Sequence, residues 1–260
     1  MRRGGLKIRI LIGLAIVAFA FFKKCANKTH NPYTDRVQNI SMTSEEEIAI
    51  GLQSAPQIAQ QHGGLYPDEK LQKYVDMVGN KLVNATMARE SPYRFEFHLL
   101  ADANTINAFA LPGGQVFITY ALLSKLENED QLAGVLGHEI GHVLGRHSAE
   151  RIAEHDFWKT ISAGASVGAD AGGLVNGIGQ NVLLGNGRED ELESDNLGVL
   201  FMINAGYNPE EMIGVMKILK EAAGPNRTPE FQSTHPDPDN RIEKIEEAIE
   251  TYGATAEGQY

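Results

Sequence analysis

The hydrophobic rhythm of the chain changes several times, and each change marks an element. Residues 10–22 are apolar without interruption, with Arg2, Arg3, Lys7 and Arg9 before them and Lys23, Lys24 and Lys28 after. A basic start followed by about 7–15 apolar residues predicts a signal peptide or signal anchor over residues 1–24. The run is shorter than the roughly 17–25 residues of a bilayer span, although snorkelling lysines can extend it. Residues 25–42 are polar and aperiodic, which predicts a linker. Ser44, Glu45, Glu46 and Glu47 form a capping-box pattern that predicts a helix to about Gln61. His62, Gly63 and Gly64 stop it, and Pro67-Asp68 opens a second helix to about Met87 with Leu71, Val75, Val78, Leu82 and Val83 on one face.

The period then falls to two. Phe95, Phe97 and Leu99 alternate with Arg94, Glu96 and His98, which predicts a half-buried strand. Pro112-Gly113-Gly114 predicts a turn into a strand over residues 115–120, followed by a short helix over 121–126. Asn128, Glu129 and Asp130 open a longer helix, read as continuous to about His155, with acids at its positive end. Residues 162–187 are rich in glycine and alanine, and their only charge is Asp170. They are compatible with a small-residue helix, a lid or a membrane-facing surface. Helices resume over 189–204, 209–223 and 238–252, the last two opened by Asn208-Pro209 and Asp237-Pro238.

Composition narrows the function classes. A net charge of -11 over 260 residues argues against nucleic-acid binding, which wants a basic face. Cys25 is the only cysteine, so no intramolecular disulfide framework exists. The basic–apolar–basic start points to export or membrane association through the N-terminal segment. The organisation expected is a signal or anchor (1–24), a linker (25–42), one folded domain (43–252) and a C-terminal tail (253–260).

Candidate chemistry concentrates in the predicted long helix, at His138-Glu139-Ile140-Gly141-His142. Histidines four apart project from one helix face, a spacing that suits one zinc ion. Glu139 can then stand beside a zinc-bound water without ligating the metal and take its proton as it attacks a peptide carbonyl. His147 lies nine residues after His138; on a continuous helix that is the opposite face, so it is expected to point away. Ser148 stands where a metzincin would carry its third histidine. A third ligand must come from elsewhere, and Glu191 and Asp195 share a helix face at i, i+4. Charge and spacing leave open whether these two are a ligand and its support or a solvated helix start.

Four elements in order carry a resemblance. They are residues 107–114 (NAFALPGG), the H-E-x-x-H of His138 to His142, Arg188-x-x-Glu191-x-x-x-Asp195, and Thr234-His235-Pro236 with Arg241-Ile242. Together they resemble peptidase family M48, in its compact, non-polytopic bacterial branch of HtpX- and BepA-like proteins. The resemblance implies an α+β fold: a mostly helical zincin domain of the gluzincin type, with a small antiparallel sheet and the H-E-x-x-H helix. It implies His138, His142 and Glu191 as ligands of one zinc ion per chain, with Glu139 and Asp195 as catalytic residues and Arg188 as support. It makes Asn107, Ala108 and Phe109 a substrate-binding edge strand, and His235 a loop histidine that approaches the zinc and holds the enzyme latent. Ser194 replaces the usual alanine before the aspartate, and Gly187 replaces a frequent serine.

The function expected is a zinc metalloendopeptidase acting on unfolded or misassembled envelope proteins in the bacterial periplasm, exported or anchored at the inner membrane. The rival class is an envelope chaperone or assembly factor with a latent zinc site. A prenyl-peptide processor would need a lipid-sized chamber that one short apolar segment cannot build.

Overall fold

The computed structural model describes residues 3–169, 187–223, 234–236 and 240–257. The described residues belong to two compact units, one from Met1–Met42 and Ala149–Gly185, the other from Thr43–Ser148 and Asn186–Tyr260.

In the first unit, helix α1 (Arg3–Ala26) extends beyond the apolar run in both directions. It packs on α6 (His147–Ala169) through small residues: a Cβ on Gly164 would stand 2.9 Å from the Gly13 carbonyl oxygen. Phe21 meets Phe157 edge-on at 5.3 Å, and Lys24 lies over the same ring. Leu11, Leu14, Phe19 and Phe22 are exposed. Among the described residues no helix is long and apolar enough to cross a membrane. The stretch expected as a linker contains an antiparallel hairpin, β1 (Lys28–His30) with β2 (Val37–Asn39). Its polar residues carry that structure without an apolar rhythm: the Asn31 amide donates to Gln38, and Gln38 donates to Glu150 on α6. Of the glycine- and alanine-rich stretch, residues 162–169 continue α6, and 170–186 lie outside the described residues.

The second unit begins at α2 (Ser44–Gln61). Its capping box is formed by Thr43 and Glu46, one residue earlier than expected, because Glu47 is buried and otherwise engaged. Asp68 caps α3 (Glu69–Asn84), which buries Val75, Val78 and Leu82 as predicted, and a 3-10 turn (Met87–Glu90) follows. The sheet runs β3 (Glu96–Leu100), β5 (Gln115–Thr119), β4 (Ala108–Ala110) in spatial order. It is mixed: β3 pairs with β5 in parallel, and β4 pairs with β5 antiparallel. All five residues of the central β5 are buried, so β4 is left as an edge. Gly113, at φ 83°, makes the turn between them with its Cα against Ile48, where a Cβ would come 2.4 Å from the Ile48 backbone.

After the short α4 (Tyr120–Leu123), α5 (Glu129–Leu144) runs through the middle of this unit. Every residue from Gln131 to Leu144 is buried, because α3, β4, α7 (Arg188–Asn204) and α8 (Glu211–Ala223) all pack against it. Glycine inside a helix costs about 1 kcal/mol relative to alanine, so an interior glycine needs a reason. Here the reason is close approach. A Cβ on Gly137 would lie 3.4 Å from the Gly198 Cα, and one on Gly141 would lie 3.0 Å from the Ser194 Cα. The backbones of α5 and α7 therefore touch, which brings the acids of α7 onto the histidines of α5. Helix α9 (Arg241–Glu257) packs on α7; the start expected at Pro238 lies outside the described residues.

The helix predicted to continue to about His155 instead ends at Leu144. Gly145 is its C-cap, Arg146 takes a left-handed conformation (φ 56°), and α6 starts at His147. Such a conformation disfavours a side chain by roughly 1–2 kcal/mol. A buried ion pair offsets it: Arg146 donates through Nε and Nη2 to Glu47 Oε1, and the Tyr93 hydroxyl donates to Glu47 Oε2. Burial raises the pKa of Glu47, and Arg146 opposes that shift.

Candidate active site

One turn of α5 places His138 above His142, with ring centroids 4.6 Å apart and the rings nearly perpendicular. Their Nε2 atoms converge to 2.9 Å. Glu191, on the first turn of α7, reaches both: Oε2 lies 3.4 Å from His138 Nε2, and Oε1 lies 3.3 Å from His142 Nε2. His235 enters from a separate loop, with Nδ1 3.1 Å from Glu191 Oε1 and 3.3 Å from His138 Nε2. One ligand atom from each of His138, His142, Glu191 and His235 lies within 4.8 Å of all the others, and all four residues are buried.

Asp195 and Arg241 form a second layer. Asp195 Oδ1 accepts from His138 Nδ1 at 2.8 Å, which turns the His138 Nε2 edge toward the cluster. Arg241 donates to Asp195 twice, Nε to Oδ2 at 2.5 Å and Nη2 to Oδ1 at 2.9 Å, and its Nη1 lies 3.2 Å from Glu191 Oε2. One guanidinium thus faces both buried carboxylates.

These contacts set the charge of the pocket. Burial works against charge on Glu191, but His235, His142 and His138 together hold it well below the usual carboxylate range. Burial also opposes charge on Asp195, and Arg241 and His138 hold that carboxyl down. Burial alone would lower His138, yet the hydrogen bonds and charges of Asp195 and Glu191 lift it to about 9. Burial dominates at His142 and drives it far below the ordinary histidine value, so it stays neutral with a lone pair to give. The pocket therefore favours positive charge where the imidazole edges converge.

Glu139 stands apart. It is 1% exposed, and neither carboxylate oxygen has a hydrogen-bond partner among the described residues. Its nearest ion-pair contact is His235 Nε2 at 3.6 Å. Burial raises its pKa, opposed by the nearby imidazoles. A buried carboxylate left without a hydrogen bond is costly unless the site itself supplies one. Together with a nitrogen–nitrogen–oxygen donor set, it fits a metal ion with a proton acceptor beside it.

The remaining predicted residues are distributed unevenly. Asn107 is buried; its main chain pairs with the Thr119 hydroxyl, and its Oδ1 has no partner among the described residues. The carbonyl of Ala108, on edge strand β4, accepts from His235 Nε2 at 3.2 Å. Phe109 stacks on Phe117, 5.1 Å between centroids. Arg188 is exposed at the start of α7, and the arginine that reaches the acids is Arg241. Arg241 belongs to the last element of the family resemblance, which gives it no role, and its sequence separation from Asp195 hides the contact.

His147 corrects the sequence reading most. It does not point away: the break at Gly145 and Arg146 turns it back, buried, with Nδ1 2.7 Å from His142 Nδ1. Its Nε2 lies 2.8 Å from Glu193 Oε2. Ser194, small as its place against Gly141 demands, puts its hydroxyl 3.4 Å from His147 Nδ1.

Comparison with known proteins agrees with this geometry. The family model described as "Peptidase family M48" matches residues 69–249. The chain is 35% identical to the mitochondrial metalloendopeptidase OMA1 of Schizosaccharomyces pombe over 177 residues, 67% of this chain and 52% of that protein. It is 28% identical to the beta-barrel assembly-enhancing protease of Escherichia coli K12 over 227 residues, 80% of this chain and 46% of that protein. The corresponding Yersinia pestis protease is 29% identical over 215 residues, 78% of this chain and 43% of that protein. The chain spans about half the length of the curated relatives it matches. With most of its second unit inside the family match and the H-E-x-x-H helix at its centre, the chain belongs to peptidase family M48.

Proposed function

We propose that this chain is a zinc-dependent metalloendopeptidase that hydrolyses peptide bonds in unfolded or misassembled proteins of a bacterial cell envelope. The observation that carries the reading is the convergence of His138, His142 and Glu191 beside a buried Glu139 whose oxygens have no hydrogen-bond partner among the described residues. His138, His142 and Glu191 would hold one zinc ion per chain. A bound zinc ion supplies Lewis-acid activation of water and of the substrate carbonyl. Glu139 accepts the proton of the attacking water at its carboxylate and returns it to the leaving amine. Asp195 orients His138, and Arg241 holds Asp195.

Substrate binding is proposed on β4. An edge strand turns main-chain groups such as the Ala108 carbonyl outward to any extended peptide, so recognition along Asn107, Ala108 and Phe109 would tolerate many sequences. That suits unfolded chains better than one fixed target. The names of the bacterial relatives support an envelope setting. The basic–apolar–basic start supports export or membrane association, with residues 43–252 as the catalytic domain. His235 is proposed as a latch: it bonds the edge-strand carbonyl of Ala108 and also completes the ligand cluster, two places that substrate and water need.

Metal analysis with an unfolded-casein assay tests both statements. We expect one zinc ion per chain, cleavage abolished by 1,10-phenanthroline and restored by added zinc. A chain that binds zinc yet cleaves no unfolded protein would leave the chaperone reading instead. His235→Ala should raise casein cleavage several-fold, and an unchanged or lower rate would remove the latch.

A further inference from the structure

The two α5 histidines are supported differently. His138 gives its Nδ1–H directly to a carboxylate, Asp195. His142 Nδ1 faces another imidazole, His147, which in turn faces Glu193. With a metal seated between His142 Nε2 and Glu191, which leaves Nε2 without a proton, hydrogen-bond rules give the proton assignment. A carboxylate only accepts, so His147 Nε2–H donates to Glu193. With Nε2 given to the metal, His142 carries its one N–H on Nδ1, so His147 Nδ1, 2.7 Å away, is the acceptor. His142 Nδ1–H donates to it, and the lone pair of His142 then lies on Nε2, the atom that meets Glu191. We propose that His147, backed by Glu193, is a positioning residue that fixes the ring and tautomer of His142 for metal binding. This rests on the reading of His142 as a zinc ligand.

The local backbone is shaped for this role. Gly145 has an ordinary helical φ of -66°, so its conformation does not require glycine. Space does: a Cβ there would lie 2.4 Å from His147 Nε2 and 2.5 Å from Cε1. The missing side chain is the seat of the His147 ring. The left-handed Arg146, tied to Glu47, supplies the reversal that brings that ring under His142. Among the described residues Ser194 Oγ at 3.4 Å and Asp190 Oδ1 at 3.7 Å also face the ring, so an acid stands on its outer side from two positions of α7.

Zinc titration against a colorimetric chelator reads the proposal without needing activity. Outer hydrogen-bond partners of ligating histidines are worth about 10–100-fold in metal affinity. His147→Ala and His147→Phe should each weaken zinc binding by about that factor, and Gly145→Ala should do the same by displacing an intact imidazole. Glu193→Gln, at a half-buried position, should weaken binding less. The double variant His147→Phe/Glu193→Gln should bind no more weakly than His147→Phe, because the acid acts only through the ring. The visible spectrum of the cobalt-loaded chain should shift in His147→Phe, since His142 would reorient. Thermal unfolding under chelator separates loss of fold from loss of site. Wild-type zinc affinity in both His147→Phe and Glu193→Gln, or additive losses in the double variant, would overturn the relay. A wild-type chain that binds no zinc would instead remove the metallopeptidase reading on which it rests.

Discussion

Glu139→Gln is expected to keep its zinc and its fold while cleaving unfolded casein about a hundred- to ten-thousandfold more slowly than the wild type. Glutamine has nearly the same shape but cannot accept a proton, so the change isolates that one function. The fold should tolerate it unusually well. Both oxygens of Glu139 lack hydrogen-bond partners among the described residues, and burial disfavours the charge. Replacing a buried anion that has no hydrogen-bond partner by a neutral amide therefore removes much of that cost, at the loss of the 3.6 Å contact with His235. The variant should unfold at a temperature no lower than the wild type. Mass spectrometry for zinc, thermal unfolding and casein turnover separate the outcomes. A wild-type rate in Glu139→Gln would show that another group takes the proton, and loss of zinc would make Glu139 part of the binding site instead.

How far the sequence reveals this site depends on the distance over which each feature is determined. His138, Glu139 and His142 are readable because helical spacing is local and the caps of α5 are written beside it in Asn128, Glu129 and Asp130. The α3 face and the Phe97–Leu99 alternation are readable for the same reason. Glu191 and Asp195 share a face by spacing, but only the family resemblance distinguished ligand from support, since charge alone also describes a solvated helix start. His147 is misplaced by a 3.6-residue period carried across Gly145 and Arg146. That helix ends there through a bond from Arg146 to Glu47, 99 residues away, which no local pattern contains. The parallel pairing of β3 with β5 is hidden likewise, because register between distant strands is set by packing on α3 and α5 rather than by either strand's alternation.

Arg241 is the other residue whose weight only the fold reveals, and Arg241→Met should lower stability by about 3–5 kcal/mol. Methionine keeps most of the apolar stem and removes the charge. It leaves Asp195 and Glu191, 1% and 0% exposed, without the guanidinium that faces both. Removing one partner of a buried ion pair is costly because the other charge stays buried and unpaired. The sign of the pH dependence follows. Arg241 is the main group holding Asp195 below its ordinary value, so in the wild type that stabilisation is present above the unfolded pKa of about 3.9 and is lost as pH falls through the depressed native value. The difference between wild type and Arg241→Met should thus be widest near neutrality and narrow as pH falls below about 4. Asp195→Asn introduced with Arg241→Met should recover part of the loss, since it removes the stranded charge. Added zinc should recover another part, because a cation against Glu191 takes over some of the guanidinium's role. Urea unfolding under chelator at several pH values measures the first two expectations, and repeating it with zinc measures the third. A loss independent of pH and untouched by Asp195→Asn would assign the effect to packing of the arginine stem rather than to its charge.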